Sequence, residues 1–241
     1  NIALNLDGLR NSHPIEQEVG DPSEIGQLFD AISYSKGASV LRMLEQFLGG
    51  KTFRDGLRQY LSIHQYDNAR TQDLWEALGE VSGQPVREIM DTWVKQTGYP
   101  VLYAKVRRYS NRIDVSITQE RFAYETIRGH VSSDDTQWSI PITVRTASNA
   151  QPITTLLENA HGMVKLLPES YVSTEEWIKL NPLHTGFYRV KYNEEDLARL
   201  APQVDTALAA KTRELSKRLV EKALADRADK RWQEFLQIDQ A

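Results

Sequence analysis

Cysteine is missing altogether from the 241 residues of this chain. Disulfide frameworks, thiolate metal sites and cysteine nucleophiles are thereby excluded, and the composition fits a reducing, cytoplasmic setting. No apolar run approaches the roughly 20 residues of a membrane-spanning helix, so no membrane partner is expected. Strong charge of one sign is also missing. The net charge is −4, which marks neither a nucleic-acid partner nor an anionic membrane surface. Catalytic signatures are equally scarce: there is no HExxH, Walker loop, GxGxxG or GxSxG. The five histidines, His13, His64, His130, His161 and His184, never recur at four-residue spacing, so no helix carries a pair of zinc ligands. By its motifs the chain holds no complete catalytic site and no metal site. It starts at Asn1 rather than methionine and without a leader pattern, so it is expected to begin inside a longer polypeptide or after processing.

What is present divides by periodicity. Residues 1–98 read as helical. Asp21 and Pro22 suit an N-cap and a first helical position. In SKGASVLRMLEQFLGG, Val40, Leu41, Leu44, Phe47 and Leu48 share a face, and Gly49 is placed to close the helix. Phe53, Leu57, Tyr60 and Leu61 repeat the pattern. Thr71 is placed to cap a helix with Asp73 in its first turn, and Pro85 opens another expected to end at Gly98. From Tyr99 to Tyr192 the period is two. Seven short β-branched or aromatic runs between turn residues predict an antiparallel sandwich over 99–192. Asn111 marks a hairpin, and Pro141 argues for an edge strand or a late start. Residues 193–241 return to helical spacing, with Leu208, Leu215, Leu219 and Leu224 among the apolar positions. The fold class is α + β in several domains.

One stretch raises a chemical question. FDAISYSKGASVLRML, residues 29–44, places Tyr34 and Lys36 at the entrance of an apolar helix. On its own residues, Tyr34 reads either as a packed aromatic or as a hydrogen-bond donor aimed at a reaction. Trp75, Trp93 and Trp138 read most simply as core, His13 as a loop hydrogen bond, and the charges of 211–231 as a solvated face.

Together with LDGLRNSHPIEQEV, YLSIHQYDNARTQDLWEAL, MDTWVKQTGYPV and TGFYRVKYNEE, that stretch resembles the zinc aminopeptidases that include aminopeptidase N and the puromycin-sensitive enzyme. The blocks keep the family's order over roughly residues 3–200. The resemblance implies a thermolysin-like catalytic domain, then a β-sandwich, then a helical domain. In its terms residues 1–98 are the closing helical lobe of the catalytic domain, 99–192 the sandwich and 193–241 the start of the helical domain. It implies zinc in the intact parent enzyme, none in this chain alone, and peptide substrates. The missing amino-terminal half would supply the zinc ligands, so the chain by itself is expected to be inactive. Tyr34 matches the family's catalytic tyrosine, whose hydroxyl donates to the tetrahedral oxyanion, a task suited to a phenol that keeps its proton at neutral pH. Phe29 matches a position lining the pocket for the substrate's first side chain. Lys36 is expected to pair with an acid and Gly37 to let helices approach closely. The competing reading is a non-catalytic peptide-binding or assembly module.

Overall fold

The structure, a computed structural model, describes residues 2–17, 20–21, 26, 29–122, 124, 135–149, 151–167, 173 and 175–202. The helix expected from Asp21 and Pro22 falls mostly on positions outside that set. So do His130 and the tail from 203 onward, where Leu208, Leu215, Leu219 and Leu224 lie. By backbone contacts the chain divides into two units, 1–193 and 194–241.

The first unit is α + β. Its helices are α1 (Ile2–Asp7), a π-helical turn (Ile32–Lys36), α2 (Gly37–Leu48), α3 (Gly50–Ile63), α4 (Thr71–Ser82) and α5 (Val86–Val94). Gly49 ends α2 at φ +82°, a conformation that a side chain would strain, and its N–H closes on the Glu45 carbonyl. Two capping expectations are corrected. Thr71 is the first residue of α4, not its cap. The Arg70 backbone N–H donates to the Asp73 carboxylate at 2.7 Å, so Asp73 supplies the capping contact. The last helix stops at Val94 rather than Gly98. Gly98, at φ +85°, instead turns the chain into the first strand.

Among the described residues seven strands follow: β1 (Pro100–Arg108), β2 (Ile113–Arg121), β3 (Ile140–Thr146), β4 (Ile153–Leu157), β5 (His161–Leu166), β6 (Ile178–Leu180) and β7 (Arg189–Tyr192). They form a four-stranded sheet ordered β5-β2-β1-β7 and a three-stranded sheet ordered β4-β3-β6. Residues 109–112 make the expected hairpin around Asn111, closed by Tyr109 N–H to the Arg112 carbonyl at 2.8 Å. The expectation of antiparallel pairing throughout fails once. β7 runs parallel to β1, because it returns to that edge after the chain has crossed the second sheet. Pro141 lies in a strand that is central by order, so the edge alternative fails and the late start holds: β3 begins at Ile140, one residue before the proline. β6 covers only residues 144–146 of β3, so at Pro141 the strand has β4 alone as a neighbour. A missing N–H therefore costs no ladder bond on the β6 side there.

Helices and sheets share one apolar cluster. Trp93 of α5 packs on Trp138 (6.1 Å between centroids) and edge-on to Phe187 (6.4 Å), while its indole N–H donates to the Ser139 carbonyl at 2.9 Å. Gln119 clasps Trp138 by accepting from its backbone N–H and donating to its carbonyl, both at 2.9 Å. In the second unit, residues 194–202 are helical and Arg199 pairs with Glu195 at 2.8 Å, an i,i+4 contact. Among the described residues no helix is long and apolar enough to cross a membrane.

The glycines of this region do different work from that expected. Among the described residues a Cβ on Gly37 would meet nothing within 4 Å, so it serves no close helix approach there. A Cβ on Gly56 would sit 2.7 Å from Leu78 Cδ2 and 3.1 Å from Leu78 Cα, where α3 crosses α4. Gly56→Ala is therefore expected to destabilise by about 1–3 kcal/mol. Gly37→Ala should be neutral or stabilising by up to about 1 kcal/mol through helix propensity. Urea denaturation of the two variants checks the pair, and a larger loss at Gly37 would refute the assignment.

Candidate functional site

The turn that carries Tyr34 is tied at both ends. At its start the Asp30 carboxylate caps it: Oδ1 accepts from the backbone N–H groups of Ile32 and Ser33, each at 2.9 Å. Short acidic side chains favour this position because they satisfy donors the helix leaves open. The turn is widened. Gly37 N–H reaches the Ile32 carbonyl, five residues back, where an α-helix would reach four. Single π turns of this kind recur at functional sites. Residues two apart on a helix point to nearly opposite sides, so Ile32 and Lys36 face inward while Tyr34 faces out.

At the other end Lys36 is fully buried. Its ammonium lies 2.9 Å from Asp7 Oδ2 and donates to the carbonyls of Gln96 (2.9 Å) and Gly98 (3.2 Å). The two carbonyls take hydrogen bonds, and the contact with Asp7 Oδ2 is a charge pairing. Both side chains of the ion pair are 0% exposed. Asp7 Oδ1 accepts from the Ser12 hydroxyl at 2.7 Å and from the Gly98 N–H at 2.9 Å. Burial pushes the Lys36 pKa below the usual lysine value, with the Asp7 carboxylate opposing. The expectation that Lys36 pairs with an acid holds, and Asp7 is the acid.

Tyr34 and Phe29, the two residues singled out from the sequence, come together at the surface. Their rings stack with centroids 6.3 Å apart and planes at 28°. Tyr34 is 62% exposed and Phe29 is 65% exposed. Two neighbouring aromatics left open to solvent are unusual for side chains of this size. A separate cleft of about 670 Å³ is lined by Ser35, Ser39, Arg42, Asn181 and Phe187 among others, but by neither Tyr34 nor Phe29.

His13 belongs to the same constellation, beyond the loop hydrogen bond expected of it. Its Nε2 lies 2.7 Å from Asp30 Oδ2, and its Nδ1 lies 2.8 Å from the Pro14 carbonyl and 2.6 Å from the Gln17 amide. Asp30, absent from the sequence reading, was recognisable as a helix-capping acid four residues before Tyr34. What brings His13 to it is tertiary and has no local signal.

No three His, Asp or Glu side chains gather as a metal site among the described residues. The nearest pairing of such groups, His13 with Asp30, is a hydrogen-bonded ion pair whose acid is already committed to two backbone donors. The described residues therefore do not fit a zinc ion.

Comparison with known proteins places this geometry. Residues 1–93, which include the whole Tyr34 turn, match the peptidase family M1 domain. The chain is 42% identical over 203 residues to Tricorn protease-interacting factor F2 of Thermoplasma volcanium, covering 84% of this chain and 23% of that protein. It is 42% identical over 202 residues to Aminopeptidase M1-C of Oryza sativa subsp. japonica, covering 82% and 22%. To the puromycin-sensitive aminopeptidase of Caenorhabditis elegans it is 41% identical over 205 residues, covering 83% and 21%. The chain belongs to peptidase family M1. It spans less than a quarter of the length of these M1 relatives.

Two predictions follow from the buried and half-buried pairs of this M1 segment. Lys36→Met leaves the Asp7 carboxylate buried beside a vanished charge, at a cost on the order of 3–5 kcal/mol. Combining it with Asp7→Asn should recover part of that loss, since the amide oxygen still serves Ser12 and Gly98. Urea denaturation of the single and double variants checks this, and strictly additive losses would refute it.

The second concerns pH. Burial alone would lower the His13 pKa, but the Pro14 carbonyl and the Asp30 carboxylate outweigh it, with Asp7 adding at longer range, and hold it above the usual value. Burial alone would raise Asp30, but the Ser33 N–H and His13 outweigh it and hold it below the usual aspartate value. The pair's stabilisation is complete between the ordinary values of about 3.9 and 6.5. It is lost as pH rises through the raised His13 value, and as pH falls through the depressed Asp30 value. An NMR titration of the His13 ring should give a midpoint above about 6.5 that drops in Asp30→Asn. An unchanged midpoint would refute the coupling.

Proposed function

We propose that this chain is a carboxy-side portion of a zinc-dependent aminopeptidase that releases amino-terminal residues from peptides. On this reading residues 1–98 are the closing helical lobe of a thermolysin-like catalytic domain, 99–192 a β-sandwich and 193–241 the start of a helical domain. The observation that carries it is the exposed Tyr34 on a capped π turn within the M1-matched segment. Its hydroxyl makes no hydrogen bond among the described residues. It therefore remains available to donate to an oxygen outside this chain.

Hydrolysis of a peptide bond develops negative charge on the carbonyl oxygen, and a fixed neutral donor aimed at that oxygen lowers the barrier. Tyr34 is assigned that role. Phe29, stacked on it, is assigned to the apolar wall that receives the substrate's first side chain, where ring contact favours apolar over charged residues. The zinc that supplies Lewis-acid chemistry in such an enzyme would be held by an amino-terminal half, not by residues of this chain, so the chain alone is inactive. The alternative is a non-catalytic peptide-binding or assembly module that uses the same exposed aromatics as a contact surface.

Tyr34→Phe separates the two. In the intact enzyme it should lower kcat on the order of a hundredfold or more on a leucyl substrate while KM changes little. The melting temperature of the 241-residue chain should stay put, because an exposed hydroxyl without a partner adds nothing to the fold. Full retention of kcat would sink the catalytic assignment. So would zinc-dependent release of leucine by the isolated chain.

A further inference from the structure

Asp30 uses its two oxygens on different partners. One caps the turn that carries Tyr34, and the other holds His13. A carboxylate on a partly exposed side chain turns freely about its own bonds unless something fixes its second oxygen. His13 is in a position to do so because it is itself held. With Nε2 on Asp30, its protonated ring donates Nδ1–H to the Pro14 carbonyl, and its loop is anchored on either side. Ser12 donates to Asp7, and the Glu16 backbone N–H donates to the Val94 carbonyl at 2.8 Å. A continuous line of contacts therefore runs from α1 and α5 through the 12–17 loop to the first backbone donors of the Tyr34 turn.

We propose that His13 is a positioning residue which, by binding Asp30, fixes the carboxylate that sets the orientation of the Tyr34 turn. Phe29 is covalently next to Asp30 and stacked on Tyr34, so the same restraint orients both exposed rings. The geometry of this restraint stands by itself; its consequence for catalysis rests on the role assigned to Tyr34 above.

The test has a structural arm and a kinetic arm. In the full 241-residue chain, His13→Ala should speed amide hydrogen exchange at Ile32 and Ser33 by about five- to tenfold, the exchange equivalent of losing one capping contact. His13→Gln, whose amide still donates to Asp30, should restore most of the protection. In an Asp30→Ser background, which keeps a cap but removes the acid, adding His13→Ala should change exchange no further. Unchanged exchange at Ile32 and Ser33 in His13→Ala would overturn the proposal. So would equal acceleration in both backgrounds, which would mean that His13 acts on the turn without Asp30. In the intact enzyme, His13→Ala should lower kcat with KM nearly constant, and His13→Gln should rescue it. Faster exchange with kcat intact would leave the positioning role standing and remove Tyr34 from catalysis, so failure of one claim is distinguishable from failure of the other.

Discussion

The Asp7–Lys36 ion pair is the contact around which the region near Tyr34 is organised. An ammonium and a carboxylate stripped of water are costly to bury, and their mutual attraction with hydrogen bonds from neighbouring groups offsets that cost. The neighbouring contacts come here from distant parts of the chain: α1, the π turn, the Ser12 loop and the 96–98 turn that leads into β1. A pair of this type contributes little net stability compared with an apolar substitute of equal volume. Its effect is on geometry, since its contacts tie the four segments together. Phe187, from the turn before β7, lies beside the Lys36 ammonium at 5.9 Å and extends the same constraint to the sheet.

The aromatic cluster around Trp93 turns that local constraint into a rigid base. Trp93, Trp138, Tyr99 and Phe187 are buried where helices and strands meet, and Gln119 locks Trp138 through its backbone. Packing of this density leaves little room for the helices to shift relative to the sheets within the first unit. Tyr34 and Phe29 then stand out from a densely packed scaffold. The two anchors of the turn differ in kind. Lys36 is dry and fully paired, whereas the His13–Asp30 contact is partly open to water and sensitive to protonation.

Much of the fold was readable residue by residue. Val40 and Leu44, or Ile113, Val115 and Ile117, declare their element through spacing alone, and all are buried. The three tryptophans read as core are core. The misreadings have a common cause. Thr71 was taken for a cap on local preference, but the backbone placed Asp73 to do that work. Pro141 fits the late start of β3 but not an edge, because strand order depends on where β6 returns, and the short pairing of β6 reconciles the proline with a central strand. Gly37 was credited with a close approach that belongs to Gly56, because a glycine's neighbours are set by helix crossing and not by the helix that contains it.

Sequence by itself determined the element types of the described residues, the hairpin at Asn111 and the kinship with the M1 peptidases. These follow from local periodicity, turn chemistry and motif order, which need no knowledge of what lies across the molecule. Tertiary structure alone decided that Lys36 finds Asp7, that His13 finds Asp30, that β7 runs parallel to β1, and that the turn under Tyr34 widens to a π geometry. Each of these depends on groups far apart in the chain meeting in a low-dielectric or shape-restricted space. There the cost of leaving a charge or a backbone donor unpaired selects one partner among many that spacing would permit.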